Sequence, residues 1–248
     1  MGVNQAAATG FGRGAEAYER GRPGYPEAAV DWMLDGLGVT ADSTVVDLGA
    51  GTGKLTRLLL PRGAHLIAIE PVPAMRRTFA RVLPGVPVVD GTAESMPLAS
   101  GSVDAVTAAQ AFHWFATRAA VGEIHRVLRA DGGLGLIWNR RDLRDPLQAA
   151  LDAIVRPHRG VAPAHERDQW REVIDGNPRF GPAGERQFAH DQPADPEGVV
   201  DRVLSTSFIA SLAEPARSQV VQQVREVVAN YRDLTLRYVT DVFLFRRV

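Results

Sequence analysis

Between Thr44 and Arg140, five short apolar runs recur at the spacing of strands separated by helices. The runs are TVVDL (Thr44–Leu48), HLIAIE (His65–Glu70), VPVV (Val86–Val89), VDAVTAA (Val103–Ala109) and GLGLIW (Gly133–Trp138). Each is too short, and too rich in β-branched or apolar residues, to be a surface helix. The intervening stretches Lys54–Leu60, Pro73–Leu83 and Thr117–Leu128 read as helices; in the last, Val121, Ile124 and Leu128 share one face, and Asp131, Gly132 and Gly133 end it. Strand and helix alternating in this order give an α/β fold with a doubly wound parallel sheet.

Outside this core the pattern weakens. A polar, glycine-rich start leads to Pro26 at a first helical position and a helix over Ala28–Leu34 that packs on the sheet edge. Asp142 to Pro196 is rich in Pro, Gly and charge, with one helix expected over Leu147–Val155, and reads as a lid or insertion. Val220, Val224, Val227, Tyr231 and Leu234 then mark a helix, and Leu236 to Arg247 has the aromatic and β-branched content of a strand. The expected organisation is one domain over 1–248, with an N-terminal cap (1–40), a core (41–141), a lid region (142–235) and a final strand (236–248).

Composition narrows the partners. With 248 residues and a formal charge of −1, the chain has no overall basic field to draw it onto phosphates or anionic lipid, so neither nucleic acid nor membrane is expected. There is no cysteine, which removes disulfides, thiolate nucleophiles and cysteine-held zinc together. The start lacks an apolar stretch of signal-peptide length, and no run approaches the ~18 residues of a membrane span; the expectation is a cytoplasmic protein.

The richest stretch is VVDLGAGTG, a strand running directly into Gly49, Gly51 and Gly53 and then a helix. Backbone without Cβ lets a ligand approach closely, and the helix start adds N–H groups and the positive end of its dipole. A phosphate-binding P-loop needs four residues between its glycines and Ser or Thr after the lysine, whereas Leu55 follows Lys54. A dinucleotide G-x-G-x-x-G would need glycine where Lys54 stands. The spacing is instead G-x-G-x-G, with Asp47 two positions before it. Glu70 closes the second run, where a carboxylate accepts two hydrogen bonds from a ribose diol; NAD and S-adenosylmethionine both carry one.

These residues, with AYERGRPGYP (Ala17–Pro26), IAIEPVPAMR, GTAESMPL (Gly91–Leu98), AQAFHWF (Ala109–Phe115), EIHRVLRADGGLGLIWNRRD, RVLSTSF and RYVTDVFLFRR, resemble the class I S-adenosylmethionine-dependent methyltransferases, and among them the type 11 group that includes trans-aconitate and similar small-acid methyltransferases. The resemblance runs almost end to end. It implies a Rossmann-like fold: a seven-stranded, mostly parallel sheet with the last strand antiparallel, helices on both faces, and N- and C-terminal lid segments. It also implies that the backbone of Gly49, Ala50, Gly51 and Gly53 cradles the methionine portion of the cofactor S-adenosyl-L-methionine, beside Asp47, which from its position either orients the loop or reaches a ligand amine through water. Glu70 and Pro71 would hold the ribose, Thr92, Ala93 and Glu94 would contact adenine, and Gln110, Ala111 and Phe112 would line the cofactor beside the methyl. Tyr18 and Arg22, in the signature Y-x-x-x-R-P-x-Y, would close over it, with Arg22 a two-point partner for the methionine carboxylate.

Methyl transfer from a sulfonium is an in-line displacement that depends mostly on alignment and desolvation. A carboxylate acceptor needs no base, whereas a hydroxyl profits from one, and His113 in FHWF is the candidate, or else shapes its loop by local hydrogen bonding. No metal is expected, because the loop after the fourth run lacks carboxylates. Phe112, Trp114 and Trp138 with Arg140 and Arg141 point to a small, partly apolar acceptor, acid or hydroxyl rather than amine. Two other readings remain: an NAD-dependent reductase, and a protein that binds S-adenosylmethionine without transferring methyl, as a binding module or cyclase. The oligomeric state is not legible.

Overall fold

The computed structural model describes residues 19, 21–160 and 169–248. Among them, β1 (Thr44–Leu48), β2 (His65–Ile69), β3 (Val88–Val89), β4 (Val103–Ala109) and β5 (Leu128–Arg141) lie parallel, and β7 (Thr235–Arg247) runs antiparallel between β5 and β6 (Phe180–Pro193). The sheet order is β3-β2-β1-β4-β5-β7-β6, so the fold is the seven-stranded, mostly parallel sheet expected. The order reverses at β1 and β4, and ligands of open α/β sheets bind beyond the carboxyl ends of strands at such a point.

Alternation along the strands divides the core between the two faces. Val46, Leu48, Leu134, Leu136 and Trp138 point to one side, where Phe112, Ile124, Trp170 and Phe243 join them. Val45, Ala68 and Ile137 point to the other, against α1 (Glu27–Leu37), Leu55, Leu59 and Phe79. A third cluster unites α6 (Pro146–Val155), α7 (Pro196–Leu204) and α9 (Ala216–Val228) with Leu236 and Tyr238 at the start of β7.

Helix boundaries follow their caps. α5 (Arg118–Val127) starts where the Thr117 side chain accepts from the Ala120 N–H at 3.1 Å, and it buries Val121, Ile124 and Val127. α6 starts at Asp145, whose carboxylate accepts from Gln148 N–H at 3.0 Å, with Pro146 in the first turn. Pro26 proves to be the cap residue of α1 rather than its first residue, and Gly38 ends that helix with φ +72°.

Several elements differ from the sequence reading. β5 extends over Leu128–Arg141 rather than Gly133–Trp138, because β7 pairs with it from Gly133 to Arg141 and β4 reaches Leu128. The residues expected to end the preceding helix therefore belong to the strand. Only Val88–Val89 of VPVV forms ladder, and the helix expected over Lys54–Leu60 shrinks to α2 (Thr56–Leu59), since the glycine loop continues as turns through Leu55. α9 ends at Val228, short of Tyr231 and Leu234. The stretch read as lid or insertion contains β6, an edge strand with exposed positions, prolines and a register shift between Pro182 and Gly184. An edge tolerates such residues and need not alternate cleanly.

Candidate active site

The turn after β1 is built around three glycines with positive φ: Gly49 (+70°), Gly51 (+59°) and Gly53 (+86°). Their surroundings differ. A Cβ on Gly53 would meet Leu83 Cδ1 at 2.5 Å and Phe79 at 3.0 Å, and one on Gly49 would meet Ala111 Cβ at 2.9 Å. A Cβ on Gly51 would meet nothing within 4 Å. Gly49 and Gly53 thus let the loop pack closely on the protein, while Gly51 presents bare backbone to open space.

Two buried carboxylates brace this loop. Glu70, 5% exposed, accepts from Gly51 N–H at 2.9 Å through Oε2 and from Val72 N–H at 2.8 Å through Oε1. Burial raises its pKa, and those two N–H groups oppose the shift. Arg76 donates to the Glu70 carbonyl at 2.7 Å and pairs with Asp90. Asp47, 2% exposed, accepts from Thr56 Oγ1 at 2.5 Å through Oδ2; its Oδ1 and the nearby Thr52 Oγ1 are buried with no hydrogen-bond partner. Burial, with a further push from the Glu70 charge, raises Asp47 to about 7.

Neighbouring loops meet at the same edge. Thr92 and Ser95 exchange backbone hydrogen bonds at 3.1 and 3.2 Å, Ala93 is buried between them, and Glu94 lies within 3.5 Å of Thr117 Oγ1. A Cβ on Gly91 would touch Ile69 at 3.0 Å, so this turn lies against the end of β2. After β4, Gln110 has φ +54°, a left-handed conformation that costs a non-glycine residue about 1–2 kcal/mol. Its N–H donates to Ile137 O and its Nε2 to Asn139 O, both at 2.9 Å, so β5 holds it there. Strain at a switch point is a mark of a functional loop.

The N-terminal segment crosses this edge. Glu19 accepts from Lys54 Nζ through its carbonyl at 2.5 Å and from Arg57 Nη2 through its carboxylate at 2.7 Å. Gly21 lies so close to α7 that a Cβ would come within 2.6 Å of Asp201 and Arg202 backbone, and Arg22 Nη2 donates to Ser205 O at 3.1 Å. Asn139 Nδ2 donates to Gly24 O at 2.7 Å while its Oδ1 accepts from Thr240 at 2.6 Å. Tyr25 is buried in the core. Further along, Arg140 pairs with the buried Asp241 at 2.9 Å, and Asp142 with Arg144. Arg141 Nη1 instead donates to Gln148 Oε1 at 3.2 Å.

The matching family model is the type 11 methyltransferase domain, over residues 46–136. An uncharacterized methyltransferase of Mycobacterium tuberculosis is 37% identical over 236 residues, 93% of this chain and 92% of that protein. An uncharacterized methyltransferase-like protein of Schizosaccharomyces pombe is 34% identical over 233 residues, covering 91% of both. Among solved structures, one described as a type II methyltransferase from Anaeromyxobacter dehalogenans superposes with a TM-score of 0.64 at 22% identity, over 91% of this chain and 97% of that one. The geranyl diphosphate C-methyltransferase of Streptomyces coelicolor gives a TM-score of 0.52 at 16% identity, over 89% of this chain and 76% of that one. This chain is a class I S-adenosylmethionine-dependent methyltransferase.

In this methyltransferase, Asp47 near the end of β1 and the residues expected from sequence at Gly49 to Gly53, Glu70 with Pro71, Thr92 to Glu94, and Gln110 with Ala111, which follow the strands, come from one edge of the sheet. Tyr18 lies outside the described residues. Phe112 differs from expectation: its side chain is fully enclosed, edge-on to Phe115 and Trp170 at 5.6 and 6.2 Å, and so packs the core. Trp138, expected in an acceptor wall, is likewise enclosed, with its ring 4.8 Å from Trp170. Its Nε1 donates to His113 Nδ1 at 3.1 Å, which places the proton of a neutral imidazole on Nε2. Among the described residues no group of three His, Asp or Glu is arranged to hold a metal, and no helix is long and apolar enough to cross a membrane. Sequence reasoning missed Glu19, Lys54 and Arg57 as the anchor of the N-terminal segment. It also missed Arg202 and Tyr238, although both stand in segments that carried the resemblance.

Proposed function

We propose that the protein transfers a methyl group from S-adenosylmethionine to a small organic acceptor, with an acid or hydroxyl favoured. One observation carries this reading: bare Gly51 backbone faces open space with its N–H held by Glu70, in a loop that leaves β1 just after Asp47, whose Oδ1 is buried and unpartnered. A ligand with an ammonium and a ribose diol suits that set, since a buried carboxylate oxygen without a partner is costly until a donor reaches it.

When bound, S-adenosylmethionine supplies an electrophilic methyl on a sulfonium, displaced in line. Asp47 and the backbone from Gly49 to Gly53 would hold its methionine part, with Arg22 toward its carboxylate. Glu70 and Pro71 would hold the ribose and Thr92 to Glu94 the adenine. Gln110, fixed at both ends to β5, would set the wall beside the reacting atoms, and Ala111 fills the space against Gly49. The segment from Glu19 to Tyr25 would exclude water over the cofactor. His113 accepts from Trp138 through Nδ1, so that nitrogen is engaged and does not serve as a base in this arrangement. An acceptor that is already an anion fits that environment.

Calorimetry tests the cofactor: S-adenosylhomocysteine is expected to bind and NAD not to. Glu70→Ala should weaken the binding by about 1.5–3 kcal/mol, the scale for hydrogen bonds to a charged group. NAD binding without a response to S-adenosylhomocysteine would overturn the reading. A panel of small acids, phenols, amines and RNA, assayed for S-adenosylhomocysteine release, tests the acceptor; turnover on amines or RNA alone would refute it.

A further inference from the structure

Beyond Asn139 the edge of the sheet changes character. Arg141, the last residue of β5, pairs across the ladder with Tyr238 of β7. Arg202 of α7 is 6% exposed and donates through Nε to Tyr238 Oη at 2.9 Å, with Thr206 Oγ1 3.4 Å from its Nη1. Arg141 is held by one bond, to the neutral Gln148. Neither guanidinium forms an ion pair among the described residues. Nε and Nη2 of Arg141 and Nη2 of Arg202 make no hydrogen bond there either.

Two guanidiniums beside one phenol, tethered only by neutral groups, form an unfavourable arrangement unless an anion completes it. The field at Arg141 says the same. Burial and the nearby charges of Arg202 and Arg22 bring its pKa down to about 10, and Asp152 is the carboxylate that opposes them. Asp152 also faces Arg159 at 3.9 Å. His190, opposite Tyr238 on β6 with ring centroids 6.1 Å apart, has its pKa lowered by burial and adds no positive charge near neutrality.

We propose that Arg141 and Arg202 form an oxyanion-recognition site for a carboxylate or phosphate group carried by the acceptor. The tethers leave each guanidinium edge oriented, and a planar fork with fixed N–H vectors binds a two-oxygen anion in two-point fashion. The position suits the acceptor rather than the cofactor. Two strand spacings, about 10 Å, separate the strand of Arg141 from β1 and the glycine loop, while the charge of Arg22, assigned above to the cofactor's carboxylate, reaches Arg141, so the pair borders the cofactor site on its far side. The ligand's role as methyl acceptor rests on the function proposed above, whereas the anion site stands on this geometry alone.

The test is calorimetric titration of citrate and of inorganic phosphate into the full chain, with and without saturating S-adenosylhomocysteine. The same titrations are run on Arg141→Gln and Arg202→Lys, with thermal unfolding as a control. Saturable binding of at least one anion to the S-adenosylhomocysteine-loaded protein is expected, weakened about tenfold or more in Arg141→Gln. S-adenosylhomocysteine affinity should be unchanged in that variant. Preference for citrate assigns a carboxylate, and preference for phosphate a phosphoryl group. The proposal is overturned if neither anion binds, if Arg141→Gln binds as tightly as the unaltered chain, or if S-adenosylhomocysteine competes the anion away, since the pair would then serve the cofactor's own carboxylate. A purely structural Arg202 would lower the unfolding midpoint of Arg202→Lys with anion affinity intact; should that variant not fold, Arg141→Gln decides. Failure of S-adenosylhomocysteine to bind would instead count against the proposed function, and the cofactor-free titrations would still decide the anion site.

Discussion

Among the described residues, the two ends of the sheet's carboxyl edge leave groups of opposite sign outside ion pairs, secured by different neighbours. Around β1 and β2 the buried charges are the carboxylates Asp47 and Glu70, held by backbone N–H groups and a threonine hydroxyl. Around β5 and β7 the buried carboxylates Asp241 and Asp145 are taken up by Arg140 and Arg237, and outside those pairs stand the guanidiniums of the half-buried Arg141 and the buried Arg202, held by Gln148, Tyr238 and Thr206. At the first end much of the recognition surface is backbone, fixed by the fold itself. At the second end it consists of side chains on three elements that meet only through tertiary packing. Under the function proposed above, such a division would keep one cofactor while the far end determines which acceptor is taken.

The largest effects should come from the backbone end, and the two extreme glycines separate packing from ligand space. Gly53→Val places a side chain at φ +86° into Leu83 and the fully buried Phe79; strain and overpacking together should lower stability by about 2–4 kcal/mol. Gly51→Ala also has a positive φ, but into open space, so its stability cost should be about 1 kcal/mol. Its loss of S-adenosylhomocysteine affinity should be much larger than its shift in unfolding midpoint. Equal stability losses with unaltered affinity in Gly51→Ala would mean that the open side of the loop does not face the cofactor.

The same contrast explains how much could be read before the structure. The glycine spacing, Glu70 at a strand end and the five apolar runs are local signals, and each run carries a strand of the sheet, although β3 is shorter and β5 longer than its run. β6 did not announce itself, because an edge strand carrying Pro182, Gly184 and solvent-facing positions lacks the alternation that marks a half-buried strand. The pairings of the arginines after β5 were equally hidden. Asp142 and Asp145 were plausible partners by proximity, yet Asp142 takes Arg144, Asp145 takes Arg237 and Arg140 takes Asp241. The first is a local turn, whereas the other two depend on β7 returning beside β5, a contact between residues about a hundred positions apart. For the same reason Phe112 and Trp138 read as pocket walls, although Trp170, from a segment without periodicity, encloses both.

A smaller effect follows from the titration of Asp47, raised by burial from 3.8 to about 7. A carboxyl whose folded pKa is raised favours the folded state fully below pH 3.8, and that contribution is lost as pH rises through 7. Binding of an ammonium beside it works in the other direction, because it requires the ionised form. Affinity for S-adenosylhomocysteine should therefore rise about tenfold between pH 6 and pH 8, as the ionised fraction grows across a pKa near 7. Asp47→Asn should bind more weakly and flatten that dependence. An equally steep profile in Asp47→Asn would transfer the titration to Glu70, whose pKa is also raised. The arginine end should show no matching slope, since Arg141 at about 10 stays charged over this range.

The smallest effect concerns whether the positive end is a site or merely a run of arginines. Arg140, Arg141 and Arg144 stand within five positions of one another, so a diffuse positive surface would use all three alike. Their environments differ sharply. Arg144 is 84% exposed and closes a local turn with Asp142 at 2.7 Å, holding that carboxylate at about 2. Arg140 is neutralised by Asp241. Exposed pairs of the first kind contribute little, because solvent screens them and the side chains give up conformational freedom to form them. Arg144→Ala should therefore leave the unfolding midpoint, the S-adenosylhomocysteine affinity and the citrate affinity at their original values, beside a clear loss of citrate binding in Arg141→Gln. If citrate binding fell equally in both variants, the positive end would be a field summed over the surface, and the contrast with the backbone-built end would lose its basis.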